Sequence, residues 1–169
     1  MLCAWVLAQQ VCRALWPEPA AGTGTTYAAA SEALAHRVAA AAGVRAGDRV
    51  LSIACGAGEE LDLWVDAFGA ATALGLERDP QRVREARDRV NARPSHIGRI
   101  TVVEGNLDDL PRCGTGFDRV VCVDAAYHFS PRARLFETAW AQLRPGGSFA
   151  WTDLVLDERV ARPAWRRPP

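Results

Sequence analysis

The chain has 169 residues, 24% charged and 49% apolar, and its twenty Arg/Lys balance twenty Asp/Glu. That length suits a single domain with a real core, and the neutral balance excludes nucleic-acid binding driven by bulk charge. Every basic residue is Arg; without Lys there is no Schiff-base, P-loop or Ser-Lys chemistry.

The first sixteen residues are apolar but shorter than the roughly 20 a membrane span needs. No basic residue precedes Arg13, unlike a secretory signal. Apolar residues at Leu2, Trp5, Val6, Val11 and Leu15 predict an amphipathic helix, with an organelle-targeting segment as the alternative. Pro17 to Gly24 reads as a linker. The expected organisation is therefore 1–24 (helix and linker), 25–156 (the domain) and 157–169 (a Pro/Arg-rich tail). Thr25 or Thr26 caps a helix to Ala42 with Leu34 and Val38 inward, and Gly43 ends it.

Strands and helices then alternate. Strands are predicted over Arg49–Ala54, Ala71–Glu77, Arg99–Glu104, Phe117–Val123 and Ser148–Leu156. Helices are predicted over Glu59–Phe68, from Asp79-Pro80 with Val83, Ala86 and Val90 on one face, and from Ser130-Pro131 with Leu135, Thr138 and Leu143 inward. In the charge run Arg82 to Arg93, Glu85 stands four residues before Arg89 and Arg84 four before Asp88, a self-paired solvated face. Five scattered cysteines (Cys3, Cys12, Cys55, Cys113, Cys122) with no C-x-x-C argue against a disulfide framework or a metal site. They fit free thiols in a reducing compartment, so a cytoplasmic location is expected. Trp64, Trp140 and Trp151 read as packing residues.

Alternating βα units predict an α/β fold, a Rossmann-like open parallel sheet with helices on both faces. Such sheets bind ligands at the carboxyl ends of their strands. After the first strand come Gly56 and Gly58, after the second Glu77, after the third Asn106, and after the fourth Asp124, Tyr127 and His128. Glu77 lies 21 residues beyond Gly56, the spacing of an acid that accepts from ribose hydroxyls. Together these residues describe a nucleoside-shaped cleft. The dinucleotide pattern G-x-G-x-x-G/A fails at Leu61, and Glu59 and Glu60 at the helix start are poor company for a pyrophosphate.

Val50-Leu-Ser-Ile-Ala-Cys-Gly-Ala-Gly58 resembles the first motif of the class I S-adenosylmethionine-dependent methyltransferases, V-L-D-x-G-C-G-x-G. Gly75-Leu-Glu77, Glu104 to Pro111, Phe117 to Phe129 and Leu143 to Gly147 are similar to later motifs of the type 11, small-molecule subgroup. The resemblance spans about Tyr27 to Leu156. It implies S-adenosylmethionine as cofactor, a small-molecule methyl acceptor and strand order 3-2-1-4-5, without the two further strands such domains usually have. Carried over, Gly56 and Gly58 lie against the methionine part, Glu77 binds both ribose hydroxyls, and Leu76, Arg78 and Leu107 flank the adenine. Asn106 takes a common Asp's place toward the adenine amino group. Ser52 stands for the usual Asp and Ala54 for a common Gly; Cys55 is a packed member of the loop; Asp124 lies beside the methionine ammonium. His128 is the candidate base, and Tyr127 lines the acceptor pocket. Expected partners are the small molecule and a protein partner or second copy on the fifth strand's edge, with no nucleic acid and no integral membrane span. The competing readings are a truncated, non-catalytic nucleoside-binding or regulatory module and an NAD(P)-dependent oxidoreductase.

Overall fold

A computed structural model describes residues 27–154. The expected N-terminal helix, the linker, the Thr25 or Thr26 cap and the tail lie outside the described residues, and the fifth strand, expected to reach Leu156, ends at Trp151.

The described residues form four helices, α1 (Tyr27–Ala42), α2 (Glu59–Asp66), α3 (Pro80–Asn91) and α4 (Arg132–Gln142). The strands are β1 (Arg49–Ile53), β2 (Thr72–Glu77), β3 (Ile100–Glu104), β4 (Phe117–Cys122) and β5 (Leu143–Trp151). Every pairing is parallel and the order is β3-β2-β1-β4-β5, as expected. The order reverses at β1, so the loops after β1 and β4 part and leave a crevice between them.

Burial follows from the apolar pattern. Val38 and Ala39 of α1, Leu61, Trp64 and Val65 of α2, and Val83 and Ala86 of α3 cover one sheet face. Leu135 and Ala139 of α4, with Leu107 and Leu110 of the 3-10 segment Leu107–Cys113, cover the other. Asp79 caps α3 by accepting from the Gln81 N–H (2.8 Å), with Pro80 at the first helical position. Under the sheet, the Arg119 Nε donates to Asp48 Oδ2 at 2.9 Å and its Nη1 donates to Ser148 Oγ at 3.1 Å, tying β4 to both neighbours.

Two further readings are corrected. The ladder to β4 begins at Leu143, shifts register between Phe117 and Arg119, and runs from Ser148 to Trp151, so the Pro145-Gly146-Gly147 turn is absorbed as an irregularity. A Cβ on Gly147 would sit 3.0 Å from the Phe117 and Asp118 carbonyls, which is why that turn can lie against β4. Leu143 therefore belongs to the sheet rather than to α4. The charge run on α3 is not self-paired. Arg89 reaches Glu59 (2.9 Å) and Asp62 (3.5 Å), and Arg93 reaches Asp62 (3.4 Å) and Asp66 (3.2 Å). Glu85 accepts from Gln81 instead. Acids at 59, 62 and 66 form one row along α2, a fixed set of acceptors against which the flexible arginines settle. The tryptophans divide between surface and core, as their reading allowed: Trp140 is exposed, Trp64 is wholly buried, and Trp151 packs on Phe149 and Phe136.

Candidate functional site

A cleft of about 1320 Å³ opens at the carboxyl ends of β1, β2 and β4. Ala54, Cys55, Gly56, Leu76, Glu77, Arg78, Asn106, Leu107, Asp124, Tyr127 and His128 all line it. Four separate loops thus bring eleven of the thirteen nominated residues together. Ser52 and Gly58 are not on its wall. Ser52 is wholly buried and its hydroxyl accepts from the Trp64 indole N–H at 2.8 Å. Gly58 caps α2 with φ 82°, and a Cβ there would stand 3.0 Å from the Ala86 Cβ, so it lets α2 approach α3.

The loop after β1 is tightly wound. Ala54 has φ 59° and Gly56 φ 57°. A left-handed Ala is strained where a Gly is not. Ala54→Gly is therefore expected to stabilise the protein by about 0.5–1 kcal/mol in urea unfolding. Cys55 packs beneath this loop against Gly75, where a Cβ would fall 2.5 Å from its Sγ. Burial pushes the Cys55 thiol far above its ordinary range, with Glu60 and Glu77 adding to the effect, so it is a packing residue and not a thiolate nucleophile.

Glu77 organises the entrance. Its Oε2 accepts from the Gly56 N–H at 3.0 Å, and its Oε1 accepts from the Arg78 and Asp79 N–H groups, each at 2.9 Å. An ionised carboxylate offers about four acceptor sites. Three are used by backbone, and one on Oε2 remains for a ligand. The Asn106 side chain accepts from the Asp108 N–H at 2.8 Å while Asp109 accepts from the Asn106 N–H at 3.0 Å, a capping box that fixes this loop. One lone pair of the amide oxygen is thus occupied.

On the opposite wall Asp124 has φ 50°, a second strained position, held by its N–H donating to Thr152 Oγ1 at 2.7 Å. His128 and Asp124 are exposed and Tyr127 is half-buried. The Tyr127 and His128 rings lie 4.3 Å apart between centroids.

Two parts of the wall escaped the sequence reading. Tyr27, Ala28, Ser31, Glu32 and Ala35 of α1 face the cleft. Their spacing is helical and their small or polar character marks a second face of α1, but attention to Leu34 and Val38 picked out only the core face. The other is Glu60. It lines the cleft, and its Oε1 is buried with no hydrogen-bond partner. Burial pushes the Glu60 carboxyl up to about 8, Glu59 and Glu77 push it the same way, and the Ser52 hydroxyl opposes them. Its signal was the Glu59-Glu60 pair, read only as charge. No cluster able to hold a metal ion occurs among the described residues, and no helix among them is long and apolar enough to cross a membrane.

The family described as "Methyltransferase domain" matches this chain over residues 50–147, from β1 to the turn within β5. The chain is 36% identical over 131 residues to erythromycin 3''-O-methyltransferase of Saccharopolyspora erythraea, covering 77% of this chain and 42% of that protein. It is 36% identical over 135 residues to a fatty-acid O-methyltransferase of Mycolicibacterium smegmatis, covering 79% of this chain and 46% of that one. The chain thus spans less than half the length of these curated relatives. A solved SAM-dependent methyltransferase of Thiobacillus denitrificans, in complex with S-adenosyl-L-homocysteine, superposes with a TM-score of 0.58 at 24% identity. It covers 70% of this chain and 47% of that one, a likeness of fold. The family match runs through the loops that build the cleft and takes in more than half of the chain: this protein belongs to the methyltransferase domain family.

Proposed function

We propose that the cleft binds S-adenosylmethionine and that the protein transfers its methyl group to a small-molecule acceptor. The observation that carries this reading is Glu77, a buried carboxylate at the tip of β2 that ties down the β1 loop and keeps one acceptor site for a ligand hydroxyl. The orphaned Glu60 oxygen deeper in the cleft suits a ligand with hydroxyls at one end and positive charge at the other. The cofactor, when bound, supplies a methyl group activated on a sulfonium.

The residues of this chain would then bind and align. Glu77 accepts from a ribose hydroxyl through the site its backbone partners leave open. Leu76, Arg78 and Leu107 flank the adenine, and Asn106 offers its remaining lone pair to the amino group. Gly56, with Ala54 and Cys55 shaping its loop, lies along the methionine part, and Asp124 stands on the other side. Ser52 and Gly58 act from beneath, one supporting Glu60 and the other setting the start of α2. Tyr127 walls the acceptor side, and His128 takes a proton from an oxygen or nitrogen acceptor. Alignment and water exclusion supply most of the rate in such an in-line transfer. The free thiols fit a reducing, cytoplasmic location. Among the described residues β5 pairs with β4 alone, and the open edge is the place for a protein partner or a second copy.

A nucleoside-binding module without turnover is the second reading, favoured by an exposed His128 that no acid orients among the described residues. An NAD(P) reading is disfavoured by Leu61, wholly buried, whose Cδ1 occupies the space that Gly75 leaves. Calorimetric titration with S-adenosylhomocysteine and with NAD separates the cofactors. Saturable heat is expected with the first alone; the reverse result overturns the proposal. Methyl transfer to a small-molecule acceptor pool, followed with radiolabelled cofactor, then separates enzyme from module.

A further inference from the structure

Glu60 is a half-buried acid whose inner oxygen has no partner in the fold. Its Oε1 is closed off from solvent and accepts no hydrogen bond. No cation is paired with it among the described residues: Arg89 and Arg93 of α3, which line the same cleft, are spent on Glu59, Asp62 and Asp66. Such an atom costs stability unless something arrives to satisfy it. It also faces a cleft. Its support is prepared: the Trp64 indole donates to Ser52 Oγ at 2.8 Å, which leaves the Ser52 proton to turn toward the Glu60 carboxyl.

The groups that act on the Glu60 carboxyl are neutral or acidic, while Arg78, Arg82, Arg89, Arg93 and Arg134 also line the cleft. Ser52 and Cys55 come from β1 and its loop, Glu59 from α2 itself, Glu77 from β2 and Cys122 from β4. Glu32 of α1 lines the same cleft. A second anion would be repelled here, and a neutral donor would leave the surrounding acids uncompensated. A compact cation satisfies the orphaned oxygen and the field together.

We propose that Glu60 is the counter-ion for a primary ammonium group on the ligand, and that its carboxyl gives up a proton to solvent as that ammonium arrives. This rests on the reading of the cleft as a site for S-adenosylmethionine, whose methionine end carries such a group. The balance is simple. A neutral carboxyl and a ligand ammonium become a carboxylate–ammonium pair, and one proton passes to the buffer. Asp124, exposed on the far wall, faces the same end of the ligand from the opposite side.

The carboxyl titrates near 8 in the free protein. Below that pH, affinity for an ammonium-bearing ligand is expected to rise about tenfold per pH unit and then level off. The test is calorimetry on the full chain and on Glu60→Gln, with two probes and in two buffers of different ionisation enthalpy. S-adenosylhomocysteine carries the ammonium; 5′-methylthioadenosine keeps the nucleoside and lacks it. At pH 7 the wild type should release up to one proton with S-adenosylhomocysteine and none with 5′-methylthioadenosine. Glu60→Gln should bind S-adenosylhomocysteine at least tenfold more weakly, without proton release, and bind 5′-methylthioadenosine unchanged. Equal loss for both probes, or unaltered proton release in the variant, overturns the role of Glu60. If the wild type binds neither probe, it is the reading of the cleft itself that fails.

Discussion

Glu77→Ala is expected to cost about 2–4 kcal/mol of folding stability and to reduce S-adenosylhomocysteine affinity by more than a hundredfold. The first effect needs no ligand. The carboxylate accepts from the N–H groups of Gly56, Arg78 and Asp79, and truncation leaves all three without that partner at the ends of β1 and β2. Each orphaned, partly buried donor costs on the order of 1–3 kcal/mol, less what entering water restores. The second effect has two sources: loss of the acceptor for the ribose and loss of the clamp that shapes the Gly56 loop. Glu77→Gln distinguishes them. An amide oxygen still accepts, but its NH₂ faces donors, so the loop should loosen while the Ala-sized gap is avoided. Urea unfolding with calorimetry on both variants checks this. A Glu77→Ala protein with wild-type stability would mean that the three hydrogen bonds do not hold the loop; wild-type affinity would remove Glu77 from the ribose site.

The sheet order was legible because each strand is a short apolar run closed by Gly, Pro or a polar cap, and parallel βα units leave few topologies. The polar and glycine positions at strand ends were legible for the same reason: in such a fold, sequence position after a strand becomes a place around one crevice. Other features depend on contacts between elements, which local pattern does not encode. The α3 arginines looked self-paired because i,i+4 spacing was the visible signal, while the acid row on α2 that captures them lies about thirty residues away in sequence. Gly58 stands out in sequence because it follows Gly56; only the approach of Ala86 shows that it also sets how closely α2 and α3 pack. Ser52 looked like a weakened ligand. Its hydroxyl accepts from the Trp64 indole and acts on the Glu60 carboxyl of α2, a contact between elements that the motif on β1 does not announce.

Glu60→Gln is expected to raise stability by less than about 1 kcal/mol at pH 5 and by about 2–3 kcal/mol at pH 9 in the free protein. The folded state keeps the Glu60 proton up to about 8, whereas the unfolded chain releases it near its ordinary value of 4.5. Between those values unfolding sets a proton free, so rising pH favours the unfolded chain. Below 4.5 both states are protonated, and above 8 both are ionised, so the loss begins as pH passes 4.5 and is complete above 8. At roughly 1.4 kcal/mol per pH unit the ceiling is about 5 kcal/mol, and water entering the cleft brings the expected effect below it. Gln removes the titration and keeps the size, so the difference between the two proteins isolates this carboxyl from every other group. Urea unfolding from pH 5 to 9 checks it, and parallel profiles would show that the burial of Glu60 carries no cost. Saturating S-adenosylhomocysteine should then reverse the order, because only the wild type has a carboxylate for the ligand's ammonium to satisfy. A residue that weakens the empty protein and strengthens the loaded one is what a binding site tuned against stability looks like.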